Sequence, residues 1–190
     1  MFRILLLIFT MLTTVAACGP RPLPATLAGL TLQPGRYIKE SYFAPGFKPG
    51  KATYALTPFT ATAAGGASAA LFAKLFQEVL LGAWEAQGLK LSPQGKAYRL
   101  DGTIQSLSVR GERFRRVTGR VHAVLTISGT ITHDEQVVFA FRDRVAASSP
   151  LAPGPPAPKE KELLLRQLAR ETAIHLLNEL LLHGDTADSE

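Results

Sequence analysis

The chain is poor in the residues that carry out chemistry. Among its 190 residues there is a single cysteine, Cys18, so no disulfide can close within one copy. The four histidines, His122, His133, His175 and His183, show no metal-ligand spacing. His175 and His183 sit eight residues apart on one predicted helix, two turns rather than one, which sets them too far apart to share an ion. The carboxylates are scattered as well. Asp134 and Glu135 fall in a predicted turn, Asp143 lies between Arg142 and Arg144, and no two acids are placed as glycoside hydrolysis requires. Gly65-Gly66 precedes a predicted helix, but neither GxxxxGK(S/T) nor GxGxxG follows, so a phosphate cradle is not indicated. These gaps lead us to expect a protein that is not an enzyme and holds no metal or cofactor. A long apolar run is missing too. The stretch from Ile4 to Met11 falls well short of the about 20 residues that a membrane span needs.

What that short apolar stretch does have is context. Met1-Phe2-Arg3 supplies a positive start, and the run leads to Val15-Ala16-Ala17-Cys18. A branched apolar residue, two small residues and a cysteine resemble the lipobox of bacterial lipoproteins. The resemblance implies that residues 1–17 are a secretion signal and that Cys18 takes the lipid. Each buried methylene of an acyl chain contributes about 0.8 kcal/mol, so two or three chains hold a protein at a membrane without any span. By resemblance to lipoprotein sorting, Gly19 is not the aspartate that retains lipoproteins at the inner membrane, and the resemblance implies the inner leaflet of the outer membrane, facing the periplasm. Nucleic acid is not an expected partner there. The net charge is +6, one less once Arg3 leaves with the leader, and this suits anionic lipid, lipopolysaccharide or cell wall.

Charged residues make up 19% and apolar residues 46%, a globular balance. Residues 18–50 are rich in proline and glycine, from Gly19-Pro20-Arg21-Pro22 to Ala44-Pro45-Gly46-Phe47-Lys48-Pro49-Gly50. They read as a lipidated N-terminus and tether, with a short strand at Gly35–Tyr42. Tyr37, Tyr42, Phe43 and Phe47 predict that part of this stretch packs on the domain or on a partner.

A single domain is predicted over 51–184. Ala52–Thr60 reads as a strand that stops near Pro58. From Ala67 to Gln87, Phe72, Leu75, Phe76, Val79, Ala83 and Ala86 recur at helical spacing, and Gly88 closes the helix. Leu71, Leu80, Leu81 and Trp84 widen its apolar surface. Three strands follow. In the first, Tyr98, Leu100 and Ile104 share one parity and Leu107 and Val109 the other, so a bulge is expected, placed at Gly102. Val117–Thr132 alternates with Val121, Ala123, Leu125, Ile127 and Ile131 on one side. His133-Asp134-Glu135 makes the next turn, and Val137, Phe139, Phe141 and Val145 carry the third strand. After a proline-rich loop over Ser148–Pro158, a helix runs from Lys159 to His183 with Leu165, Leu168, Thr172, Leu176 and Leu180 on one face. Leu163, Leu164, Ile174, Leu181 and Leu182 lie off that stripe, marking either deep burial or a docking face. Residues 185–190 form a polar tail. The order β-α-β-β-β-α predicts an α+β two-layer sandwich, with both helices on one face of a mostly antiparallel sheet.

One charged cluster stands out. Arg110, Arg113, Arg115, Arg116 and Arg120 fall within eleven residues at the hairpin between two strands, with Phe114 among them. The planar guanidinium fork fits phosphate and carboxylate, so this hairpin is the candidate anion contact, for lipopolysaccharide, lipid headgroup or an acidic protein surface.

The layout as a whole resembles the anticodon-binding-like domain of small outer-membrane lipoproteins. Gly88-Leu89-Lys90-Leu91 with Tyr98-Arg99-Leu100-Asp101-Gly102-Thr103-Ile104, and Lys159–Leu182, are similar to a helix end, first meander strand and closing helix of the lipopolysaccharide-assembly lipoprotein family. Tyr54-Ala55-Leu56-Thr57-Pro58-Phe59 is similar to a strand of curli-secretion and penicillin-binding-protein-activator lipoproteins, and transport-auxiliary lipoproteins share the order. The resemblance implies a subunit of an envelope assembly or transport machine, with a β-barrel or transporter component as protein partner. The alternatives it leaves are a regulator of a cell-wall synthase, a peptidoglycan binder, or an auxiliary lipoprotein of a lipid ABC transporter.

Overall fold

The computed structural model describes residues 26–62, 66–92, 97–110, 120–150 and 158–183. Four short strands come first: β1 (Thr26–Leu27), β2 (Leu30–Thr31), β3 (Gln33–Pro34) and β4 (Glu40–Phe43). After a 3-10 turn (Pro49–Lys51) follow β5 (Thr53–Leu56), β6 (Thr60–Ala61), helix α1 (Gly66–Ala86) and β7 (Lys90–Leu91). The long strands β8 (Tyr98–Arg110), β9 (His122–His133) and β10 (Gln136–Ser148) form the meander. Helix α2 (Pro158–Asn178) follows the meander and runs into a π-helical turn (Glu179–His183).

The fold is the expected α+β arrangement, with both helices packed against a mostly antiparallel sheet of order β3-β4-β10-β9-β8-β5-β7. β5 runs parallel to β8, so α1 is the crossover of a βαβ unit, and β8, β9 and β10 then pair antiparallel in sequence. Pro58, which cannot donate to a ladder, splits the predicted Ala52–Thr60 strand into β5 and β6. Both halves still lie along β8, helped by Thr57 N–H to Leu100 O and Thr62 N–H to Ile104 O.

The core lies between sheet and helices. From α1 it takes Ala69, Phe72, Leu75, Phe76, Leu80 and Trp84; from α2 it takes Leu164, Leu165, Leu168, Ala169, Ala173, Leu176 and Leu177. Burying each large apolar side chain contributes about 1.5–3 kcal/mol. Leu164 therefore belongs to the core, whereas Leu71, Leu163, Ile174 and Leu182 remain exposed.

Two expectations need correction. The phase change in β8 is real, but the bulge lies at Gln105, between the register pairs Ile104↔Ile127 and Ser106↔Thr126. Gly102 serves another purpose. It faces its register partner Gly129, and a Cβ on Gly102 would fall 1.9 Å from Phe59 Cε1, so this hydrogen-only position makes room for a buried aromatic ring. Gly129 does the same for Phe141.

The second correction concerns 18–50, read as a tether. Its described part, from Thr26 onward, is built into the domain. β4 pairs with β10 through Glu40↔Arg142 and Phe43↔Phe139, and Ile38 and Phe47 join the core. Burial of these apolar residues offsets the poor propensity of a segment so rich in proline and glycine. The aromatics therefore pack on the domain itself: Phe43 lies 4.7 Å from Phe139 and Phe47 5.4 Å from Tyr98, centroid to centroid. The proposed leader, the tail 185–190 and most of the proline-rich loop lie outside the described residues.

Candidate functional site

Of the candidate residues, Cys18, Arg113, Arg115 and Arg116 lie outside the described residues; Arg110 and Arg120 can be placed. Arg110 is the last residue of β8 and pairs in register with His122, the first residue of β9. Arg120 precedes Val121, and both arginines are exposed. The strand end from which they project is bolted together. Ser149 donates its N–H to Val121 O at 2.8 Å while Ser149 Oγ accepts from Val121 N at 3.0 Å. His122 Nδ1 lies 2.8 Å from Ser148 Oγ. The pairing of β8 with β9 thus brings Arg110 and Arg120, the two ends of the arginine-rich segment, to the same end of the sheet. On the helix side of the same sheet end is an apolar cleft of about 330 Å³ lined by Ser149, Pro150, Glu160, Leu163, Leu164 and Gln167.

Strand alternation sends most of the other polar side chains of β8–β10, with Asp143 an exception, to the face opposite the helices. Arg99, Asp101, Thr103, Ser106, Ser108 and Arg110 point outward from β8, and Val124, Thr126, Ser128, Thr130 and Thr132 from β9. Arg142 and Arg144 do so from β10. No helix covers this face among the described residues; the N-terminal segment covers part of it and leaves Ser106, Arg110 and Arg144 exposed. Arg142 Nη2 donates to Thr26 O at 3.2 Å, and Leu27 overhangs a cleft of about 350 Å³ shared with Asp101, Thr103, Ser128 and Thr130. Leu32 and Ala140 are buried outside the main core, as this cover requires. Asp101 pairs with Arg99 at 2.8 Å and Glu40 with Arg142 at 3.4 Å.

A second polar cluster lies on the helix side of the sheet. Glu179, fully buried, accepts the backbone N–H of Arg36 (2.9 Å) and Tyr37 (2.7 Å) at Oε2 and the Ser41 hydroxyl (2.6 Å) at Oε1. Asp143, also buried, accepts the N–H of Lys39 at 3.1 Å and of Arg144 at 2.8 Å, and its other oxygen lies 3.0 Å from His175 Nδ1. The two carboxylates seat the 35–41 loop on α2 and β10. Gly35 is part of the fit, since a Cβ there would lie 2.6 Å from Ile38 O and 3.0 Å from Glu179 Oε1. The cluster looks like acid-base machinery, but its acceptors are taken up by chain segments it holds in place. The signal for it was present: Glu179 falls on the apolar stripe of its helix, and Asp143 has the inward parity of Phe139, Phe141 and Val145. A charge at a core position asks for buried partners.

No protein-family model and no curated protein sequence matches the chain. Similarity to solved structures is found at the level of fold. A Xanthomonas campestris protein of the DUF330 family superposes with a TM-score of 0.53 at 11% identity, over 78% of this chain and 94% of that one. Rare lipoprotein B of Shewanella oneidensis gives 0.45 at 10% identity, over 72% and 98%. A minor lipoprotein of Acinetobacter baumannii gives 0.45 at 16%, over 69% and 93%. The first of these shows a shared fold.

Proposed function

We propose that the chain is a non-catalytic, lipid-anchored protein of the cell envelope. It serves as a subunit of an assembly or transport machine, with lipopolysaccharide delivery to the outer membrane the first candidate process. The observation that carries this reading is Val15-Ala16-Ala17-Cys18, with the only cysteine of the chain placed where cleavage makes it the first residue. No described helix is long and apolar enough to cross a membrane, so an acyl anchor supplies the membrane attachment on this reading.

A binding role is supported by how the polar groups are used. Asp143 and Glu179, two groups suited to acid-base chemistry, are engaged in seating the N-terminal loop, and His175 is engaged with Asp143. The surfaces left open are an outward sheet face, an arginine-bearing sheet end, and a helix layer with Leu71, Leu163, Ile174 and Leu182 exposed. Leu163 and Ile174 are eleven residues apart on α2, close to three full turns, and so lie on one side of it. Purification of the lipidated protein in mild detergent, followed by identification of bound protein and lipid, tests the proposal. A β-barrel or transporter component with lipopolysaccharide is the expected result. A cell-wall synthase in its place would refute the transport reading in favour of wall regulation.

A further inference from the structure

We propose that the outward face of the sheet, rather than the helix layer, lies against the bilayer that holds the anchor, and that its arginines contact anionic headgroups. The inference rests on the lipid-anchor reading and adds to it an orientation and a binding surface. With 18–50 read as a loose tether, the domain could face any direction. The first strand instead begins at Thr26, eight residues after Cys18. Eight residues reach at most about 29 Å when fully extended.

The point of departure is fixed as well. Thr26 is held over the outward face by Arg142, whose strand β10 is third from one edge in the order β3-β4-β10. Strands are spaced by about 4.8 Å, so rounding that edge takes about 10 Å sideways. A further ~20 Å is then needed to pass the sheet and a helix about 10 Å in diameter. Laying the helix layer on the membrane would consume the whole leash, drawn taut. Laying the outward face there costs no extension.

The charge on that face agrees. Both acids described above, Asp101 and Glu40, are already paired with Arg99 and Arg142. Arg110 and Arg144 are exposed and form no ion pair among the described residues, so the face carries unbalanced positive charge. The neighbouring side chains are Thr103, Ser106, Ser108, Thr126 and Thr130, which suit the hydrated headgroup level rather than insertion. Contact of this kind is weak alone and becomes firm as the second signal beside an acyl anchor.

The test attaches the lipid chemically, so its result does not depend on whether cells lipidate Cys18. A chain beginning at Cys18, methyl-labelled at valine and isoleucine, is coupled through that cysteine to a maleimide phospholipid. The carrier is a nanodisc of phosphatidylcholine and phosphatidylglycerol containing a gadolinium-headgroup lipid. Val124 reports the outward face and Ile174 the helix layer. The Val124 methyl signals should be broadened several-fold more than that of Ile174. Equal broadening, or stronger broadening of Ile174, would overturn the orientation. In the double variant Arg110→Glu, Arg144→Glu, whose unattached spectrum verifies folding, the contrast should fall at least twofold. A contrast that charge reversal leaves untouched would overturn the headgroup contact. Failure of Cys18 to label with fatty acid in cells would count against the anchor reading instead, and the two failures are therefore distinct.

Discussion

Replacing Glu179 by alanine should unseat the N-terminal segment from the domain. The carboxylate accepts two backbone N–H groups and one hydroxyl in a place with no access to solvent. Alanine leaves all three donors without it, and each buried donor left unmade costs about 1–3 kcal/mol. Relaxation of the half-buried loop recovers part of this, so the expected loss is about 3–6 kcal/mol, a large share of the about 5–15 kcal/mol that stabilises a typical domain. For a chain of this size the melting temperature should fall by roughly 10–20 °C. Glu179→Gln should cost less, about 1–3 kcal/mol. Its amide oxygen can still accept both backbone donors while its nitrogen donates to Ser41 Oγ, so that the charge assistance and the acceptor for the Ser41 hydroxyl proton are lost. Thermal melts give the stability, and hydrogen exchange at the Arg36 and Tyr37 amides gives the local effect. Glu162→Ala, at an exposed carboxylate on the same helix, serves as the control and should stay within about 0.5 kcal/mol of the parent. An alanine variant as stable as the control, with Arg36 and Tyr37 still protected, would refute the reasoning.

Three other outcomes are expected. Gly102→Ala should overpack the site of the Phe59 ring and cost about 1–3 kcal/mol, measured by denaturant unfolding; an unchanged midpoint would show that the ring moves freely. Starting the chain at Pro49 should remove the cooperative thermal transition seen by circular dichroism, because β4, Ile38 and the donors to Glu179 go with the deleted residues; a truncated chain melting like the parent would make those contacts dispensable. The triple variant Arg113→Gln, Arg115→Gln, Arg116→Gln should weaken binding to lipopolysaccharide and anionic vesicles, by about 1 kcal/mol or less per arginine, with a smaller difference at high salt. Binding equal to the parent at low salt would reduce the hairpin to a solvated turn.

Much of the fold could be read from periodicity because its main elements are long. Both helices and the β8–β9–β10 meander run for 12 residues or more, enough for the spacing of apolar residues to separate helix from strand. β4 was harder to read. It has four residues, flanked by Pro34, Gly35, Pro45 and Gly46, and its place in the sheet depends on contacts with β10 and α2 about a hundred residues away. The bulge was misplaced by three residues for a related reason. A glycine inside a strand signals a bulge or a close approach by another group, and only the fold shows that Phe59 fills the space at Gly102. Asp143 lies between Arg142 and Arg144 and so reads as a surface charge, and Glu179 belongs to no motif that would single it out. Their positions on the inward stripe and the inward parity were the better guide. The arginine hairpin was noticed by charge alone, and the structure adds the sheet end from which Arg110 and Arg120 project.

The lipid on Cys18 bears most directly on the whole account. Cells producing the parent chain or Cys18→Ser are fed an alkyne fatty acid, and the protein is captured and its label and mass compared. The account predicts a labelled, processed parent that partitions with membranes, and an unlabelled, unprocessed Cys18→Ser chain. Serine cannot accept a thioether-linked diacylglycerol. Equal labelling of the two proteins, or none in the parent, would contradict it.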